Sequence, residues 1–472
     1  MKLITCIFFL LLFTLVYRGA AVCGQETPES FYIPENPAYT VTDSARDSAR
    51  FTLEKTVKPG RCGHLVSISS FVNPEGEIMG WHDFGNLEGP GWAANAVGGA
   101  WELYRLGERL GNARWQKDAI AILDHVLDCG FIRSDGFIRN YRETTTGDFC
   151  LNYKHRSDWF CPGSMAKIGF QLLLFADALQ EDPRATRMRD AARRCAEWIH
   201  EHVKPTPNGW FPRRTSPDGQ LFRQSPKGKE DPFWQSSADG LYILQLEAAL
   251  TERHLADYRV QLRAGSQAFM EAGGHFASLN HDTYDLHENV AYSVAFRTLL
   301  SVSHVLGDPA IRAFAYDKCL AGLGPFKMRE DRNGVATKGL LYMEASWDTA
   351  YLWENAEAAL ALFEAARDLR TKDAARSRQL ELDGLTILRA IAKHHYGRDG
   401  FLTEGVDWNN HVGEKHHIGQ VKYGAIQYTE PFLNNQHILE PTVFYLEQLA
   451  TQKKVGNSTE WRDLEGNLIL MR

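Results

Sequence analysis

Beyond residue 16 the chain has no apolar run near the roughly twenty residues that a membrane-crossing helix needs, so no span is expected in the mature protein. No P-loop, dinucleotide glycine fingerprint or G-x-S-x-G elbow occurs, and no aspartate-rich metal motif of the terpene-cyclase kind. Basic residues are in deficit, 52 Lys and Arg against 59 Asp and Glu for a net charge of −7. That balance argues against a nucleic-acid surface, which would show clustered cations. Cysteine is sparse, eight in 472 residues, with none of the spacings of a zinc site and Cys6 inside the leader. Cys129, Cys195 and Cys319 fall in helical stretches as small buried apolar groups, while Cys150 and Cys161 share a loop and are the candidates for a disulfide in an oxidising compartment.

What is present is a repeat. Residues 347–370, WDTAYLWENAEAALALFEAARDLR, open on polar and aromatic groups and continue as a helix apolar on two adjoining faces. Leu352, Ala356, Ala359, Phe363 and Ala366 make one face at helical spacing, and Tyr351, Ala358, Leu362, Ala365 and Leu369 the other. A helix apolar on most sides lies inside a large body. The same polar-then-apolar unit recurs at 92–110, 162–179, 234–251, 287–306 and, more weakly, 434–450. After each comes a short break and a plainly amphipathic helix, which predicts an outer partner. Asp182-Pro183 and Asp308-Pro309 pair a capping acid with a proline at the first helical position, and Gly111 and Gly307 sit where a helix end takes a left-handed residue.

The return connections are long, and four contain an Asx-Gly turn pair before a short strand: Asp135-Gly136, Asn208-Gly209, Asn333-Gly334 and Asp399-Gly400. Short connections at one end and long ones at the other place the function on one face. Six inner and at least five outer helices close most simply into a double ring, with a helix at 42–55, capped by Asp43, as the missing outer partner. The alternating helices and Asx-Gly-aromatic turns of residues 61–450 resemble the six-hairpin glycosidase superfamily. The fold class expected is therefore all-α, an (α/α)6 toroid of six helical hairpins with short β-hairpins in the long loops. Residues 1–24 read as a signal peptide, with Lys2, the apolar run 4–16 and the small residues around Ala20-Ala21. Residues 25–60 read as an extension, 61–451 as the toroid and 452–472 as a tail. The protein is thus expected to be exported, to the periplasm or the medium, with a lipid-anchored Cys23 as the lesser alternative.

Eight of the twelve tryptophans lie in the long connections or at inner-helix starts, among them Trp81, Trp234, Trp347 and Trp408. Aromatic faces beside carboxyl groups suit a sugar, whose CH-rich face packs on a ring while acids bond its hydroxyls. The superfamily resemblance implies a carbohydrate substrate and no cofactor. His82-Asp83-Phe84-Gly85 is similar to the His-Asp-x-Gly segment of unsaturated uronyl hydrolases, whose Asp exchanges a proton with the sugar.

Glycoside cleavage needs one protonated and one ionised carboxyl on either side of a bond. Asp83, in an apolar setting between Trp81 and Phe84, is read as the acid; Glu288 or Asp348, at positive helix starts, as the ionised partner; and Asp239 as the reserve candidate. His82, Tyr153, His155, Arg156 and His287 join the tryptophans as substrate-binding candidates, and the basic loop around Arg156 suits a uronate. His411, His416 and His417 offer no clear fourth ligand, so no metal is expected. A lyase or an epimerase on the same toroid, and a non-catalytic sugar-binding protein, are the alternatives; the oligomeric state is open.

Overall fold

The structure is a computed structural model that describes residues 31–453, apart from 69, 80–85, 93, 154–157, 225–227, 281–282 and 398, together with the backbone of 461–462 and 468–469. The described residues hold twelve α-helices: α1 Val41–Phe51, α2 Ala96–Leu110, α3 Ala113–Asp128, α4 Pro162–Ala178, α5 Pro183–His202, α6 Leu241–Glu252, α7 Arg259–Glu271, α8 Asn289–Leu306, α9 Pro309–Phe314, α10 Leu352–Leu369, α11 Ala374–Ile391 and α12 Leu439–Lys453. Even-numbered helices form the inner ring. Each packs on the next, and α12 returns to α2 to close the circle. Odd-numbered helices form the outer ring, with α9 extended to residue 326 by π and 3-10 turns and α1 packed against α12.

The sequence explains the layers. In α10 fifteen of eighteen residues are buried, because both of its apolar faces meet neighbouring helices. The chain turns sharply at the short connections: Asp182 accepts from the Arg184 N–H at 2.9 Å, Asp308 caps α9 through Ala310, and Gly111 and Gly307 end α2 and α8 at φ of 66° and 64°. Helix α1 is capped by Thr40, with Asp43 answering from the third position in a capping box. The cap expected at Asp43 therefore belongs to Thr40, and the acid is its reciprocal partner.

The strands are short and lie in the long connections: β1 Val57–Pro59, β2 Leu65–Ser67, β3 Leu87–Glu88, β4 Tyr141–Glu143, β5 Phe149–Cys150, β6 Thr349–Tyr351, β7 His395–Tyr396, β8 Phe401–Leu402, β9 Gly405–Asp407, β10 Gly424–Ala425, β11 Trp461–Arg462 and β12 Leu468–Ile469. Two three-stranded antiparallel sheets, β3-β4-β5 and β10-β9-β6, stand beside three hairpins. Strand β6 corrects the reading of residues 347–370. Thr349 pairs with Asp407 and Tyr351 with Gly405, so the helix begins at Leu352 and Asp348 stands ahead of a strand.

The glycines of the four Asx-Gly turns all adopt positive φ, from 77° at Gly209 to 100° at Gly136. A Cβ on Gly136 would sit 2.3 Å from the Arg194 carbonyl of α5, and one on Gly400 2.3 Å from the Asp47 carbonyl of α1. These two turns seat their connections against an outer helix. The disulfide joins Cys62 to Cys129, with Cα atoms 6.3 Å apart. Cys150 and Cys161 are not joined to each other, which corrects the expected pairing. No described helix is long and apolar enough to cross a membrane.

Candidate functional site

The inner helices are apolar almost all round, yet each sends at least one polar side chain to the axis, among them Glu102, Lys167, Gln245, Arg297, Glu357 and Glu440. His437, just before α12, bridges two of them, with Nε2 at 3.2 Å from Glu357 and Nδ1 at 3.4 Å from Glu102. Burial alone would pull this imidazole down, but the two carboxylates outweigh it and push its pKa up to about 9. Arg297 meets Glu357 at 2.5 Å and Glu364 and Glu440 at 3.3 Å. Burial works against the Glu357 carboxylate, but Arg297 and His437 hold it well below the usual range. Glu440 goes the other way, pushed up to about 7 by burial against the pull of Arg297. Glu102, His437 and Glu440 bring potential ligand atoms within 4.8 Å of one another, but Arg297 already meets Glu440 and His437 already meets Glu102. The second such group, Cys62, His125 and Cys129, has its two thiols tied in the disulfide.

Above this network lies Asp239, in a 3-10 turn that opens α6. Its backbone N–H donates to Ser237 Oγ at 3.2 Å. Gly163 at the start of α4 approaches so closely that a Cβ there would lie 2.0 Å from the Asp239 carbonyl oxygen. The carboxyl is buried, and neither oxygen completes a hydrogen bond among the described residues. Burial pushes its pKa up to about 6, although the Trp92 indole N–H and the cations Arg213, Lys167 and Arg214 pull it down. Arg213 and Arg214 are themselves committed to Asp231. Trp92 packs edge-on against Tyr242 and Trp353 at 5.7 and 5.5 Å. The Lys167 ammonium lies 3.9 Å from the Trp92 ring centre, makes no hydrogen bond among the described residues, and is pulled below its ordinary pKa by burial, against three glutamates. An unbonded acid and an unbonded cation thus flank one indole without pairing.

The other predicted residues are dispersed. Glu288 is fully buried, and its carboxyl turns away from the helix start to accept from Leu279 N at 2.5 Å, Asn280 N at 3.2 Å and the Thr283 hydroxyl. Burial pushes its pKa up to about 8, so the ionised form expected from the helix dipole is the disfavoured one. Glu344 holds the Tyr284 and Asp285 N–H groups of the same loop, and Glu354 holds Asn280 and Asn289. Asp348 accepts from Asn409 Nδ2 at 2.9 Å. Trp347 lies between Tyr284 and His411, with ring centres at 5.3 and 3.7 Å. Tyr284 is 65% exposed, so this stack offers an aromatic rim.

His287 bonds the Tyr292 hydroxyl at 2.8 Å, and Tyr292 packs against Gly322 and Phe326 of the outer ring. Trp234 lies under Arg223 and Trp408 near Arg332; both indoles are buried and fill the mouth wall. Tyr153 meets Trp159 edge-on at 6.3 Å. His417 is buried between Asp407 and the Val421 carbonyl, while His411 and His416 face Trp347 and Tyr428. Trp81, His82, Asp83, His155 and Arg156 lie outside the described residues.

The axial charges escaped the sequence reading, although each is a lone polar residue in an apolar stretch, as in SMAKIGF and AFRTLL. A single charge in a helix otherwise apolar on all sides is the signal that could have found them.

No protein-family model matches the chain, and no curated protein matches it. Solved structures do. Cellobiose 2-epimerase from Bacillus thermoamylovorans superposes with a TM-score of 0.57 at 11% identity, covering 86% of this chain and 99% of that one. A sugar epimerase from a ruminal bacterium gives 0.56 at 11%, over 86% and 99%, and D-mannose isomerase 0.55 at 12%, over 86% and 97%. At such identities the likeness is one of fold. The chain therefore has the (α/α)6 toroid fold that was expected from its sequence.

Proposed function

We propose that the protein is an exported carbohydrate-active enzyme of the glycoside hydrolase type, with Asp239 as the carboxyl that exchanges a proton with the sugar. The observation that carries this reading is the state of Asp239: buried, with no hydrogen bond completed at either oxygen among the described residues, raised to about 6, and set against Trp92 at an inner-helix start. A carboxyl held protonated close to neutrality is what a general acid requires. Asp83, read from the sequence as the acid, becomes the proposed ionised partner, in place of Glu288 and Asp348, which are engaged in loop and asparagine contacts. The basic loop that follows Tyr153 supports a uronate-containing oligosaccharide as substrate.

A second reading rests on a different group. Lys167 is a buried amine displaced toward its neutral form, the kind of base that withdraws a proton beside a sugar carbonyl. The solved neighbours whose names are 2-epimerase and isomerase support it. Incubation with a panel of uronate-containing and neutral oligosaccharides, read by mass, separates the two. Gain of one water per cut supports hydrolysis; altered stereochemistry at unchanged mass supports epimerisation and overturns the hydrolase reading.

A further inference from the structure

Two cavities open behind the site, on the side of the short connections. The larger, about 400 Å³, is rimmed by the ion pairs Arg105–Glu447 and Arg253–Asp177. The smaller, about 20 Å³, lies deeper on the axis and is lined by Lys167, Tyr242, Gln171 and Gln245 among others. They share walls: Trp101, Phe170, Leu174, Arg297 and Glu440 line both. The inner chamber is of a size to hold a water, which needs about 10–15 Å³ and two to four polar partners. Three atoms around it have no hydrogen bond among the described residues: Lys167 Nζ, Tyr242 OH and Gln171 Oε1. Lys167 and Gln171 lie one helical turn apart on α4, and Tyr242 projects from α6.

We propose that the two cavities form one polar passage through the base of the toroid, with Glu440 at their junction, that carries water and protons between the short-connection face and Lys167 and Tyr242 beneath Trp92. Glu440 suits the junction. Its side chain keeps 14% exposure, and its oxygens face Arg297 from α8, Glu357 from α10, His437 ahead of α12 itself, Glu102 from α2 and Lys167 from α4. Burial among these groups brings its carboxyl to about 7, where it takes and releases protons at neutral pH. The transfer balances without any redox partner. A hydronium in the outer cavity protonates Glu440; Glu440 passes the proton to the chamber water; that water passes one on to Lys167 whenever its amine has given up its own. The reverse sequence discharges it. A sugar filling the mouth would cut the site off from solvent on that side, and the passage leaves a second route. Its service to catalysis rests on the function proposed for Asp239 and Lys167, whereas its existence rests on the cavities alone.

The test has two parts on the full chain. A high-resolution crystal structure at pH 7, with oxygen-17 relaxation of the water, should show an ordered, exchanging water bonded to Lys167 Nζ and Tyr242 OH. Exchange should slow in Leu174→Trp, which narrows the shared wall. A dry chamber overturns the passage whatever reaction the enzyme performs. In turnover, Leu174→Trp and the isosteric Glu440→Gln should both lower kcat with KM unchanged, Glu440→Gln by about a hundredfold, the lower end of what positioned proton transfer contributes. If Leu174→Trp fails to fold, Leu174→Phe serves in its place. A wet chamber with wild-type kcat and pH profile in both variants overturns the transport role. Loss of kcat in Glu440→Gln together with a raised solvent isotope effect upholds it.

Discussion

Asp239 and Glu288 are both fully buried carboxyl groups with raised pKa values, and the difference between them is what their oxygens touch. Glu288 meets two backbone N–H groups and a hydroxyl of residues 279–283, whereas the Asp239 oxygens complete no hydrogen bond among the described residues. Glu288 is therefore a loop anchor. Glu288→Gln should leave the chemistry intact and destabilise the fold by about 1–3 kcal/mol, the range for an unsatisfied buried partner, measured by urea unfolding at pH 5. Its folded pKa of about 8 lies above the ordinary carboxyl value. The folded state holds the extra proton, so this contribution is complete below about 4.5 and fades as pH rises toward 8. Glu288→Gln should flatten that part of the stability profile; an unchanged slope would contradict the assignment. Sequence placed Asp239 among the candidates as a possible counterpart of Asp83 within an inner helix. It could not rank Asp239 above Glu288, since the bonds that occupy Glu288 come from a loop whose path local pattern does not reveal.

The elements best forecast by sequence are those whose cause is local. The Asx-Gly turns and the Asp-Pro helix starts came out as read, because a left-handed glycine or a capping carboxyl acts within its own few residues. Gly136→Ala should cost more than about 1 kcal/mol, because a Cβ there combines an unfavourable positive φ with contact on the Arg194 carbonyl; a change in the urea midpoint is the measurement. Strand β6 was misread because its partner β9 arrives from more than fifty residues away, and strand preference depends on such context. The disulfide was missed for a similar reason: cysteine spacing does not encode connectivity. Cys62 and Cys129 are 67 residues apart, and a loop of that size corresponds to about 4 kcal/mol of unfolded-state restriction. Cys62→Ser should lower stability by up to that amount, and thiol titration of the unreduced protein should count both cysteines as blocked.

At the scale of the molecule, ring closure depends on charge as well as apolar packing. Glu102 of the first inner helix and Glu357 of the fifth both hold His437, and Gln436 donates to the Gly99 carbonyl at 2.6 Å. The repeat made the double ring legible, since the inner-helix pattern recurs six times and the short break five times. The axial network was not, because its members are scattered over more than three hundred residues and converge only in the closed circle. With its pKa raised to about 9, His437 contributes stability that is complete below about 6.5 and is lost as pH rises through 9. Unfolding free energy should therefore fall between pH 6.5 and 9 in the native chain and fall less in His437→Gln; equal slopes would show that the histidine is not held protonated.

The central claim is that Asp239 carries the proton. Its most direct test is the turnover of Asp239→Asn, an isosteric change, on the oligosaccharide that the mass panel identifies, alongside the pH profile of kcat/KM. The account predicts a loss of about 10²–10⁴ in kcat, the usual worth of general acid–base catalysis, with thermal stability preserved or increased and with disappearance of the limb near pH 6 that the carboxyl sets in the native enzyme. Near-normal turnover of Asp239→Asn, with that limb still in place, would contradict it.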